Sequence, residues 1–167
     1  MCIRDSPKSR LRQYRKRVAE IHRTRSIAAS AQKIWEVLAD FGALSSWAEN
    51  ADHSCILFRG ADGGPIGTAR RVQVKREALV EQITEFDPPH ALSYDVEGLP
   101  TALRRVTNRW TLTPAQGDSS IVTVTSTVEI GPHSAQRLAE HALCRFLARQ
   151  SDSMLAGLAN RLENARV

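Results

Sequence analysis

The chain has 167 residues, 42% hydrophobic and 25% charged, with a formal net charge of +5. This length suits one domain with a continuous core, and the composition excludes collagen-like, low-complexity and highly charged disordered chains. Seven of the 23 basic residues but one acid, Asp5, fall within residues 1–18. The positive charge therefore reports an arm rather than a binding face, and no nucleic-acid partner is expected.

Residues 1–18 are expected to form a basic, disordered arm, and residues 19–165 a single domain. Met-Cys-Ile-Arg-Asp-Ser at positions 1–6 resembles the translation of a transposon end used to prepare sequencing libraries, so Cys2 is left out of any chemistry. Cys55 and Cys144 show no CxxC spacing, fit a reducing compartment, and read as small core hydrophobes. No apolar run reaches the length of a membrane span, and the basic start is not followed by the apolar stretch of a secretory signal. A cytoplasmic location is expected.

In chain order, Val18–Ile27 alternates weakly and reads as a first strand. Ser30 is placed to cap a helix carrying Ile34, Trp35, Val37, Leu38 and Phe41. Gly42 is expected to break that helix, and a second short helix, about Ala43 to Glu49, carries Leu44 and Trp47. Strands are expected at His53–Arg59, Gly67–Lys75, Glu77–Phe86, Ala91–Val96, Arg105–Thr113 and Ile121–Ile130, the last rich in β-branched residues. Turns at residues 60–65, 87–89 and 116–119 separate some of them. The connections are short and no helix intervenes, so the sheet should be antiparallel.

Gly131-Pro132 ends the sheet. One long helix, His133 to Glu163, is then expected to place Ala139, Leu143, Phe146, Leu147, Gln150, Met154, Leu158 and Leu162 along one face. The fold class is therefore α+β: about seven antiparallel strands curved around a long C-terminal helix, with two short helices after the first strand. A single helix laid across a curved sheet covers its concave face without filling it, which implies an internal pocket.

Specific stretches carry a family resemblance: Ile27 to Phe41 followed by Trp47, Gly67 to Arg71, Glu81 to Pro89, Leu92-Ser93-Tyr94, and Met154 to Leu158. Over residues 20–163 the chain resembles the START-like (SRPBCC) superfamily with its helix-grip fold, in the polyketide cyclase/dehydrase-type lipid-binding branch. The resemblance implies a cavity for a hydrophobic ligand. It does not imply one reaction, and no catalytic residue transfers.

Pleat alternation nominates the residues facing that cavity. If Val122, Val124 and Val128 point inward, the pairing strand presents Asn108, Trp110 and Leu112, and Tyr94 joins them with Leu92 and Val96. Arg70 shares a face with Val72 and Val74, and Glu81 with Leu79 and Ile83, so the two charges can meet inside. They read either as a structural ion pair or as an anchor for a carboxylate, phenolate or enolate. Trp47 and Trp110 offer ring surface and an indole N–H. Gln150 interrupts the apolar stripe of the long helix, near Met154, and either satisfies a backbone group or reaches a ligand. His53 is the histidine to test as an acid or base. The five histidines show no metal-ligand spacing, and neither a metal nor a cofactor is expected.

Three functions follow as expectations. The first is binding or transport of a hydrophobic small molecule, a lipid, polyketide or isoprenoid. The second is a polyketide cyclase/dehydratase-type enzyme using the same cavity. The third is a START-like interaction module associated with quinone or ribosomes. The expected oligomeric state is a monomer or homodimer.

Overall fold

A computed structural model describes the backbone of residues 17–99, 103–130 and 137–164. The arm up to residue 16, the start of the long helix at His133 and the last three residues lie outside the described residues. The elements are β1 (Arg17–Ile27), α1 (Ala31–Ala39), a 3-10 helix (Phe41–Ser46), β2 (His53–Phe58) and a 3-10 turn (Ala61–Gly63). They continue with β3 (Ala69–Val74), β4 (Glu77–Asp87), β5 (Ala91–Glu97), β6 (Leu103–Pro114), β7 (Ser120–Ile130) and α2 (Arg137–Asn164). The seven strands form one antiparallel sheet in the order β1-β7-β6-β5-β4-β3-β2.

Ser30 caps α1 as expected, its Oγ accepting from the Lys33 N–H. The chain leaves the α region at Asp40 (ψ 67°), not at Gly42, and the second short helix is a 3-10 segment ending one residue before Trp47. Gly42 serves packing: a Cβ there would stand 2.9 Å from Ile56 Cγ1. Ser54 then ties this segment to β2, its Oγ donating to the Gly42 carbonyl and accepting from the Ser45 N–H.

Opposed residues of an antiparallel ladder share a face, so the register sorts the concave surface into rows. One row is Arg70–Glu81–Val96–Val106–Val128. The next is Ile83–Tyr94–Asn108–Ser126, then Leu92–Trp110–Val124, then Leu112–Val122. All of these are buried. The convex face is polar, with Arg109–Glu85 and Arg105–Asp95 ion pairs and a Thr24–Thr123 hydrogen bond.

Helix α2 is fixed over the concave side by three successive residues that each reach a different element. Gln150 Oε1 accepts from Asn50, Ser151 lies 3.5 Å from Ser126 of β7, and Asp152 pairs with Arg23 of β1. Its buried face comprises Ala148, Ser151, Met154, Leu155, Leu158 and Ala159. Phe146, expected on that face, is 53% exposed, so the helix is rotated from the expected phase. Gly157 lets the helix approach the Trp47 segment, since a Cβ there would lie 2.1 Å from the Trp47 carbonyl oxygen.

Candidate functional site

The β3–β4 hairpin places Arg70 opposite Glu81, because only Lys75 and Arg76 connect the paired residues Val74 and Glu77. Arg70 Nε and Nη2 both lie 2.6 Å from Glu81 Oε2, and Nη1 donates to the Phe41 carbonyl at 2.7 Å. The guanidinium also lies over the Phe41 ring, 3.9 Å from its centroid, and 5.1 Å from that of Tyr94. A buried charge is tolerated when paired and hydrogen-bonded, and Arg70 meets both conditions within the chain. Its charge is thus matched by Glu81 rather than left for an anion.

Tyr94 stands in the next row. Burial pushes its phenol up to about 12, and the nearby Glu81 charge acts in the same direction. Arg70 and hydrogen bonds from Trp110 and Asn108 pull the other way. Trp110 Nε1 donates to the phenol oxygen at 3.4 Å. Asn108 Oδ1 accepts from Ser126 Oγ at 2.6 Å, and Ser126 approaches Ser151 of α2. Trp47 meets Trp110 edge to face, with ring centroids 6.1 Å apart.

Six of the sequence-nominated residues therefore converge on the concave face: Trp47, Arg70, Glu81, Tyr94, Asn108 and Trp110. Met154 faces the same core from α2. Gln150 is half-buried and accepts from Asn50, an interaction within the protein. His53 is exposed at the start of β2 and stands apart from this group. Cys55 and Cys144 are partly buried and form no disulfide among the described residues. Trp35 is core, stacked edge-on against Phe86. Among the described residues no group of His, Cys, Asp or Glu is arranged to hold a metal ion.

Sequence reasoning missed Ser126, Ser151 and the Phe41 carbonyl. Ser126 sits in the same alternation as Val122, Val124 and Val128, so period-2 counting places it inward. Ser151 lies three residues before Met154 on the helix. A backbone acceptor such as the Phe41 carbonyl leaves no trace in residue type.

Burial changes along the concave face. Tyr94 and Trp110 retain 1% of their surface, whereas Glu81, Val96, Asn108 and Met154 keep 7–9%. Val74, Leu79, Leu99, Leu143 and Leu147 are only partly buried. Val74, Leu79 and Leu99 mark the β3–β4 hairpin end of the sheet. Since Ser151 lies over the Ser126 row and α2 runs on toward Trp47, Leu147 and Leu143 lie toward that same end. Two open clefts lie elsewhere. One of about 610 Å³ lies between Trp47, Glu49, Asn160 and Arg161. The other, about 360 Å³, lies between Asp40, Arg59 and Phe86. Trp47 lines the first cleft and walls it off from Trp110. Its Nε1 is buried without a partner among the described residues, as is Asn50 Oδ1.

The sequence of residues 18–163 matches the family model described as polyketide cyclase/dehydrase and lipid transport. The chain belongs to this family. No curated protein shows a significant match to the sequence. Among solved structures, a START superfamily protein from Mycobacterium smegmatis superimposes with a TM-score of 0.72 at 19% identity, over 87% of this chain and 98% of that one. Norcoclaurine synthase from Thalictrum flavum gives 0.72 at 18% identity, over 93% and 100%. The ZhuI aromatase/cyclase from Streptomyces sp. R1128 gives 0.66 at 16%, over 87% and 96%. At these identities the likeness establishes the fold. In this polyketide cyclase/dehydrase and lipid transport family member, no described helix is long and apolar enough to cross a membrane.

Proposed function

We propose that this family member binds a hydrophobic small molecule, lipid-, polyketide- or isoprenoid-like, against the concave face of its sheet. The observation that carries this reading is the gradient of burial from the partly exposed Val74, Leu79, Leu99, Leu143 and Leu147 to the dry Tyr94–Trp110 floor. Apolar surface left uncovered at one end of a core favours an apolar guest, at roughly 25 cal/mol per Å² removed from water. The ligand-contact set is Arg70, Glu81, Tyr94, Asn108 and Met154, with Trp47, Trp110 and Gln150 supporting it from behind. Native mass spectrometry of gently purified protein is expected to reveal a retained or exchangeable apolar ligand. Failure to take up any apolar probe would overturn the proposal.

A second reading is favoured by one feature. A protonated phenol beside a carboxylate in a water-poor site is an acid–base pair suited to enolisation or dehydration of a polyketide substrate. Glu81 would serve as the base and Tyr94 as the acid, with Arg70 holding Glu81 in place. This cyclase/dehydratase reading requires turnover that is lost in Tyr94→Phe.

A further inference from the structure

We infer that Trp47 is a movable end wall of the ligand space, which swings into the outer cleft when a ligand is too long for the closed pocket. This inference rests on the binding reading above and assigns the residue that sets ligand length. Trp47 has the cleft of about 610 Å³ on one side and Trp110 on the other, edge to face with ring centroids 6.1 Å apart. It also borders the ligand end of α2. Asn50, three residues on, donates to Gln150 at 2.5 Å, and Gln150 lies one helical turn from both Leu147 and Met154.

The closed seat suits the ring but not its polar atom. Trp47 is 8% exposed, yet its Nε1 meets no acceptor among the described residues, whereas Trp110 Nε1 donates to Tyr94. A buried donor left unmet weakens the seat that holds it. Exposed Glu49, Asn160 and Asn164 line the cleft, and their side-chain oxygens or water accept from the indole once it turns outward. Only the side chain has to move. The backbone stays pinned where Gly157 leaves no room for a Cβ against the Trp47 carbonyl, and where Asn50 holds Gln150. The vacated seat is apolar, walled by Trp110, so a longer hydrocarbon chain entering it replaces the apolar contact that the indole gives up.

The experiment displaces the fluorescent probe N-phenyl-1-naphthylamine with 1-octanol or 1-tetradecanol, in the wild type and in Asn160→Phe, whose ring fills the outer cleft from the exposed side of α2. Affinity for tetradecanol is expected to fall about tenfold in the variant, because the displaced indole finds its place taken. Affinity for octanol holds within about twofold. In parallel, NMR of the wild type follows the indole N–H resonances of the three tryptophans, assigned with Trp35→Phe, Trp47→Phe and Trp110→Phe. Tetradecanol is expected to move the Trp47 resonance and octanol to leave it in place. A Trp47 resonance that bound tetradecanol leaves unmoved or that both alcohols move alike, or an equal effect of Asn160→Phe on both, overturns the movable wall and leaves the container standing. Binding of neither alcohol by the wild type overturns both. The wild-type resonances decide the matter even where Asn160→Phe fails to fold.

Discussion

Arg70 and Glu81 are each tolerable in the interior because the other is present. Removing one partner leaves a buried uncompensated charge, whereas removing both leaves only volume to refill. Glu81→Gln is therefore expected to lower the unfolding free energy by about 3–5 kcal/mol in urea denaturation. The double variant Arg70→Met/Glu81→Leu should recover most of that loss; equal damage in single and double variants would mean the pair is not the cause. Tyr94 makes a pH prediction of opposite character. Its folded value of about 12 lies above the ordinary 10, so between these values the unfolded chain has released a proton that the native chain still holds. Stability is then fully present below pH 10 and declines as pH rises toward 12, by about 2–3 kcal/mol for two pH units. Denaturation profiles of wild type and Tyr94→Phe across this window should differ in slope, and parallel profiles would contradict the burial argument.

At the scale of elements, α2 is held at its middle and its C-terminal half. The contacts of Gln150, Ser151 and Asp152 set its rotation, and Gly157 lets its backbone touch that of Trp47. Gly157→Ala gains about 1 kcal/mol of helix propensity but places a Cβ 2.1 Å from a carbonyl oxygen. Backbone cannot yield as a side chain does, so a net loss of about 1–3 kcal/mol is expected, with Trp47 emission shifted red as its indole loses cover. A Gly157→Ala variant as stable as wild type would place the helix elsewhere. A period of 3.6 residues fixes the helix and its length but permits a turn of the stripe: the contacts of Ser151 with β7 and Asp152 with β1 accompany a phase that leaves Phe146 outside. The strands fared better. Their period of 2 survives an error of a residue at either end, so the inward rows through Tyr94, Asn108 and Trp110 were legible before any coordinates.

For the molecule as a whole, the pairing of Arg70 with Glu81 was readable because a two-residue connection makes positions equidistant from it face one another. What fills their remaining valences was not readable, since the Phe41 carbonyl and the Ser126–Asn108 bond arise from packing between distant segments. The location of open space was likewise hidden: sequence placed a hollow under the whole helix, whereas Tyr94 and Trp110 are almost completely buried and Val74, Leu79 and Leu99 at the β3–β4 hairpin end are only partly so. That asymmetry separates two neighbouring residues of α2. Leu147 is partly buried and turned toward the relaxed end, while Phe146 is 53% exposed. If ligands enter there, Leu147→Glu should weaken apolar-probe binding about tenfold or more, because charge now borders the apolar path. Phe146→Ser, although it removes the larger hydrophobe, should leave probe affinity within about twofold, because surface changes away from such features have small effects. Titrating both variants with one fluorescent probe, alongside urea denaturation to confirm their folding, checks the ordering. Equal loss in the two would mean that the outer surface of α2 takes the probe, and the concave face would then no longer be the site.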